Sequence, residues 1–248
     1  MNLFADAIDW IIAPERAAGA LPLSEAIGTH LLFTVISVLI AAAIAVPIGW
    51  LIGHTGRGRG IAVALTGAAR ALPSFGLVLL LVLVFGVLHK VEASITAFVL
   101  LAIPPILAGA YAGIEAIDRR VIDGARSVGM SPWQMLVKVE APLGLPLLLG
   151  GLRSATLQVV STVTLMGYVG NWGLGFYIVQ GINIRTFEQI LGAALLIVLL
   201  AVTLDALFAI AQRLVVPRGV TATRGPGSAT PSSAARRRRQ PAEQLTTT

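Results

Sequence analysis

Between Ile27 and Ile52 the chain carries no Asp, Glu, Lys or Arg. A run of that length is what a helix needs to cross a hydrocarbon layer, about 20 apolar residues at roughly 1.5 Å each. Four further stretches read the same way, Ile61–Leu88, Ile95–Tyr111, Leu147–Tyr168 and Ile190–Leu214. Backbone polar groups in lipid must be paired within the spanning element, so runs this long are helices. The expectation is an all-α integral membrane protein of about five transmembrane helices. Composition agrees, because only 12% of residues are charged and 56% are hydrophobic, where a soluble chain carries about 25% charged residues.

Several function classes fall away. There is no cysteine, which removes disulfides and thiolate chemistry, and His30, His54 and His89 lack the spacing of a metal site. No cofactor or metal is expected. A phosphate-binding loop needs Gly-Lys followed by Ser or Thr; the two lysines, Lys90 and Lys138, are each followed by Val. Energy must then come from a partner or an ion gradient. The net charge of +6 owes much to the block Arg236–Arg239. That block lies in a Pro/Ser/Thr/Ala-rich stretch, so 215–248 is expected to be a disordered basic tail, in contact at most with lipid headgroups and not with nucleic acid.

Residues 1–26 form the extracytoplasmic N-terminal segment. Met1–Ile12, with Asp6, Asp9 and Trp10, reads as a short interfacial helix. It has no basic start, so a cleavable signal peptide is not expected. Residues 27–214 form the transmembrane domain. Within it Gly49 and Gly53 stand four apart, a spacing that lets helices approach closely. Leu72-Pro73-Ser74 and Pro104-Pro105 interrupt two spans. A proline frees a backbone carbonyl that must find another partner, so such sites lie against other helices or a cavity. Arg70 is read as snorkelling to the interface. Asp205 is read as a structural carboxylate paired with a neighbouring span. Basic residues accumulate in the connections holding Arg57 and Arg59, then Arg119, Arg120, Arg126 and Lys138, then Arg213 and the tail. Positive charge marks cytoplasmic loops, which puts the N-terminus outside and the C-terminus in the cytoplasm.

The one long polar interruption is 118–146, centred on Asp123–Pro146. Asp123 is expected near a helix start, where it complements the dipole. Gly124, Ala125 and Gly129 keep the surface small where a partner would approach. Ser131 is the expected N-cap of a second helix with Pro132 in its first turn. Trp133, Met135 and Leu136 are the candidate apolar knob, since aromatic anchors carry much of interface energy. The same residues also describe an ordinary cytoplasmic loop with a Trp at headgroup level.

A resemblance separates these readings. Asp123-Gly124-Ala125, Gly129 and Val139-Glu140-Ala141-Pro142 resemble the EAA signature of permease subunits of bacterial binding-protein-dependent ABC importers, with Asp in place of Glu and Gly in place of the first Ala. Ala71-Leu72-Pro73-Ser74, Gly129-Met130-Ser131-Pro132-Trp133-Gln134, Gly151-Leu152-Arg153-Ser154-Ala155-Thr156 and Gly170-Asn171-Trp172-Gly173-Leu174-Gly175 are similar to osmoprotectant permeases, those for glycine betaine, carnitine and choline. The resemblance implies the type I ABC importer permease fold in the bacterial inner membrane. It implies ABC ATPase subunits, an extracytoplasmic substrate-binding protein and a second permease subunit as partners. Asp123, Gly124, Ala125, Gly129, Met130, Pro132 and Trp133 would then face the ATPase, and catalysis would lie outside this chain.

Pathway or gate residues are expected at Pro73, Ser74, Tyr168, Trp172 and Phe176. Aromatic faces suit a quaternary ammonium by cation–π attraction; packing and an interfacial belt account better for the rings. A permease for another small solute such as an amino acid, an ion-coupled transporter using Asp205, and a channel or structural subunit are the alternatives.

Overall fold

The computed structural model describes residues 2–15, 21–69 and 73–215. The expectations for Arg70 and for the basic tail from Val216 onward fall outside them.

Every regular element described is helical. α1 (Leu3–Ile12) buries Ala7 and Trp10 and leaves Phe4, Ile8 and Ile12 exposed, the amphipathic pattern of the expected interfacial helix. α2 (Leu23–Thr55) ends where Gly56, at φ 69°, returns its N–H to the Ile52 carbonyl at 2.8 Å. The expected 61–88 span is two shorter helices, α3 (Arg59–Ala69) and α4 (Ser74–Phe85). Pro73, extended at ψ 110°, immediately precedes α4; it lacks an N–H and disfavours helix in the residue before it. α5 (Lys90–Glu115) runs through Pro104 and Pro105 without a break. After α6 (Arg119–Ser127) and α7 (Pro132–Met135), a π-turn (Leu136–Glu140) leads into α8 (Ala141–Val163). α9 (Met166–Val169), α10 (Gly175–Ile184) and α11 (Phe187–Val215) follow.

Four stretches among the described residues are long and apolar enough to cross a membrane: Leu23–Thr55, Val87–Glu115, Pro132–Val169 and Phe187–Val215. The third begins well before Leu147, where the sequence placed it. Pro142 cannot donate a helical hydrogen bond, and the Ala141 N–H reaches back to the Leu136 carbonyl in the wider π spacing. Helical direction is thereby carried from Pro132 into the apolar run.

α5 is the central element, packed between α2 and α8. Glycine makes this possible. A Cβ on Gly49 would lie 2.6 Å from the Ala110 Cβ and one on Gly53 2.6 Å from the Ile114 Cβ. On the other side, a Cβ on Gly113 would meet the Gly144 oxygen at 2.5 Å, and one on Gly151 the Pro105 oxygen at 2.6 Å. Phe98, Ile106, Val159 and Val163 fill the space around these crossings and are fully buried.

Pro105 cannot bond to the Leu101 carbonyl four residues earlier. Gln158 Nε2, on α8, donates to that carbonyl at 3.3 Å, the substitute partner that a proline in a membrane helix requires.

Candidate functional site

The α6–α7 turn is built from local rules. Asp118 caps α6, accepting the Arg120 N–H at 2.9 Å. Asp123, expected near the helix start, sits in its second turn instead. It lines a cavity of about 480 Å³ together with His54, Arg59, Glu115, Arg126 and Glu140. α6 stops at Gly129, whose φ of 83° is left-handed. The Gly129 N–H then bonds the Arg126 carbonyl at 2.9 Å, and the Met130 N–H bonds the Ala125 carbonyl at 3.2 Å. That pair of bonds is a Schellman closure, which favours glycine at this position.

Two residues later the chain starts again. The Gln134 N–H donates to Ser131 Oγ at 3.3 Å and the Ser131 N–H to Gln134 Oε1 at 2.9 Å, with Pro132 in the first turn. This is the expected N-cap, in its reciprocal capping-box form.

The apolar knob needs correction. Trp133 is 71% exposed, but Met135 and Leu136 are only 2% and 8% exposed and belong to the protein interior. Val128, 74% exposed, joins Trp133 on the surface instead. Gly124 has open space around it, whereas Ala125 is buried beneath the turn. Behind the turn, buried Glu140 accepts from or pairs with His54 Nδ1 at 2.6 Å, tying the π-turn to the end of α2. Arg59 and Glu115 pair at 2.6 Å beside it.

At the opposite end of α8 the candidate gate residues do not form one set. Tyr168 meets Phe75 edge-on, centroids 5.3 Å apart, which brings it beside Pro73 and Ser74 at the start of α4. Trp172 instead lies under Lys90, whose Nζ is 5.0 Å from the ring centroid. Phe176 stacks edge-on with Tyr177 at 5.3 Å, and Tyr177 with Trp10 at 5.1 Å. Phe75 was not foreseen, because nothing in its own stretch points to a ring 93 positions away. Fully buried His30 was also passed over. Its Nε2 donates to the Val160 carbonyl at 2.9 Å and its Nδ1 accepts the Leu174 N–H at 3.3 Å, locking α2, α8 and the loop before α10 together.

Asp205 is paired with a neighbouring span, as expected, and the partner is Arg153. Nε and Nη2 of Arg153 bond the two carboxylate oxygens at 2.5 and 2.6 Å, a two-pronged geometry that fixes the relative rotation of α8 and α11. A carboxylate engaged in this way is poorly suited to carrying a coupling ion.

Known proteins resemble this chain over most of its length. The chain is 31% identical to the glycine betaine/carnitine/choline transport system permease protein OpuCB of Bacillus subtilis, over 78% of this chain and 88% of that protein. It is 30% identical to the choline transport system permease protein OpuBB of the same organism, over 77% and 87%. With the osmoprotectant import permease protein OsmW of Salmonella typhimurium it shares 30% identity over 77% and 90%. A chain of the MetNI methionine ABC transporter in an inward-facing conformation has the same fold, with a TM-score of 0.69 at 22% identity over 79% of this chain and 96% of that one. Residues 45–219 match the family described as "Binding-protein-dependent transport system inner membrane component". With most of its length in that match, a type I importer permease fold and four membrane-length helices, the chain is a multi-pass membrane protein belonging to the binding-protein-dependent transport system inner membrane component family.

Proposed function

We propose that this chain is the permease subunit of an ATP-driven importer for osmoprotectants of the quaternary-amine class, such as glycine betaine, carnitine and choline. The observation that carries the solute class is the similarity, over 77–78% of this chain, to three permeases of osmoprotectant transport systems. The chain works as one half of a pore, with a second permease subunit, two ATPase subunits and an extracytoplasmic binding protein. ATP hydrolysis belongs to the ATPase. The N-terminus faces outward and the C-terminus the cytoplasm of a bacterial cell, which places the α6–α7 turn beside the ATPase.

Asp123, Gly124, Ala125, Gly129, Met130, Pro132 and Trp133 make up the coupling element. Its support is physical: a turn stabilised by its own caps, with Trp133 and Val128 standing exposed, offers an apolar anchor to a pocket on a partner. Closure of the motors moves this element and, through it, the spans, giving alternating access. At the outer end Pro73, Ser74 and Tyr168 form the gate region with Phe75, while Trp172 and Phe176 support it through packing.

Uptake of labelled glycine betaine, carnitine and choline by cells carrying the whole transporter tests the reading. Uptake is expected to survive collapse of ion gradients and to stop on ATP depletion; the reverse pattern would sink the proposal. For the coupling element, Gly129→Val is the sharper probe. A β-branched residue at φ 83° is strained by about 1–3 kcal/mol. The variant should reach the membrane in normal amount yet lose ATP-driven uptake, and undiminished uptake would remove the coupling role.

A further inference from the structure

We propose that the exposed face of α8 running through Ser154, Gln158 and Ser161, and ending at the Tyr168–Phe75 pair, lines the route that solute takes across the membrane. The steps of four and three residues put Ser154, Gln158 and Ser161 on one helix face, Tyr168 follows beyond the turn at Thr164–Leu165, and all four are exposed. The serines and Gln158 lie in the apolar run 147–168 of the third membrane-length stretch, where polar groups facing lipid are costly.

The other spans show what a lipid-facing surface looks like in this protein. On α11 it is Val198, Leu199 and Val202, and on α2 it is Leu39, Ile44 and Ile48. Thr203 of α11 and Ser161 of α8 are exposed hydroxyls that each bond the carbonyl four residues earlier, at 2.7 and 3.0 Å. Gln158 differs in kind. Among the described residues its amide makes one hydrogen bond, from Nε2 to the Leu101 carbonyl, leaving the second N–H and Oε1 unmatched on the exposed side. An amide half-satisfied at bilayer depth calls for water or a polar solute in front of it.

The face is held toward that space. Arg153, one residue before Ser154, is bound at both prongs by Asp205, so α8 cannot rotate its hydroxyls into lipid without breaking the pair. The face carries hydroxyl and amide groups and no net charge, and its end offers two aromatic rings. That chemistry suits weak, passing contact with a small zwitterion or quaternary cation and rests on the solute class proposed above.

Because the chain has no cysteine, single-cysteine variants report cleanly. Ser154→Cys, Ser161→Cys and, as lipid-facing control, Val202→Cys would be compared in vesicles holding the assembled transporter. The probe is a trimethylammonium methanethiosulfonate, a water-soluble thiol reagent that is itself a quaternary cation. Modification at 154 and 161 should be about tenfold or more faster than at 202, since hydrocarbon excludes a cation, and should slow when glycine betaine is present. Equal rates at the three positions would overturn the inference. So would a disulfide between two copies at Ser161→Cys with no labelling, which would make the face a subunit contact. Glycine betaine uptake by the cysteine-free parent is measured alongside. Uptake without preferential labelling removes the route and leaves the proposed function standing. Preferential labelling without uptake keeps the route and removes the solute class.

Discussion

The two ends of the helical stretch from Pro132 to Val169 are finished in opposite ways. At the α7 end the bonds that shape the turn itself are local, a Schellman closure, a capping box and an Asp cap, with the long-range His54–Glu140 bond behind it. Trp133 and Val128 are left standing outside it. At the α9 end the bonds are long-range, from His30 to Val160 and Leu174, with Tyr168 against Phe75 and Trp172 under Lys90. The lesson is that one end is shaped chiefly by its own caps and presents a surface, while the other adds to its local turn bonds a set of contacts with distant parts of the protein. Between them lies the glycine seam with α5, on which both ends depend.

Damage to the seam should therefore be the most severe. Gly113→Val puts side-chain atoms where the Gly144 backbone lies 2.5 Å from a Cβ, an overpacking that costs about 1–3 kcal/mol or more. The expected result is loss of folded protein from the membrane, read by the yield and melting temperature of the purified complex. Next, His30→Ala strands the Val160 carbonyl and the Leu174 N–H in a buried site, a penalty of about 1–3 kcal/mol. It should lower the melting temperature and leave the α6–α7 turn as resistant to protease as before.

Ser131→Ala removes one cap and should cost about 1 kcal/mol, expressed as faster amide exchange in α7 and not at the α9 end. Smallest of all in stability is Trp133→Ala. A side chain 71% exposed should change stability by no more than about 0.5 kcal/mol, even while ATP-driven uptake falls. A large drop in melting temperature for Trp133→Ala would show that this end is not self-contained, and the contrast between the two ends would collapse.

The same contrast explains what the sequence could reveal. Ser131-Pro132 and Gly129 are legible because cap and terminator act over three or four residues. Asp118 carried the same signal and was passed over in favour of Asp123, although an Asp followed directly by a helical run is the stronger cap position. The expected spans were found from apolar length alone, but the split at Pro73 and the extension of the third long helix back to Pro132 depend on how the prolines are accommodated. Met135 and Leu136 look like a docking knob in isolation; only the packing of the π-turn against the end of α2 shows that they face inward. The outer aromatics were misgrouped for a similar reason, since which ring meets which is decided by helices far apart in the chain. The Arg153–Asp205 pair had a usable hint, two opposite charges each lodged within an apolar run.

The glycine crossing near Gly144–Gly151 also sets a mechanical ratio. The helical stretch of 38 residues is about 57 Å long at roughly 1.5 Å per residue, and the crossing lies a little nearer Pro132 than Val169. A tilt of about 10° around it would carry Pro132 some 4 Å one way and Val169 about 6 Å the other. Under the proposed coupling role, a push of a few ångströms beside Trp133 would be answered by an opposite and somewhat larger swing beneath Tyr168.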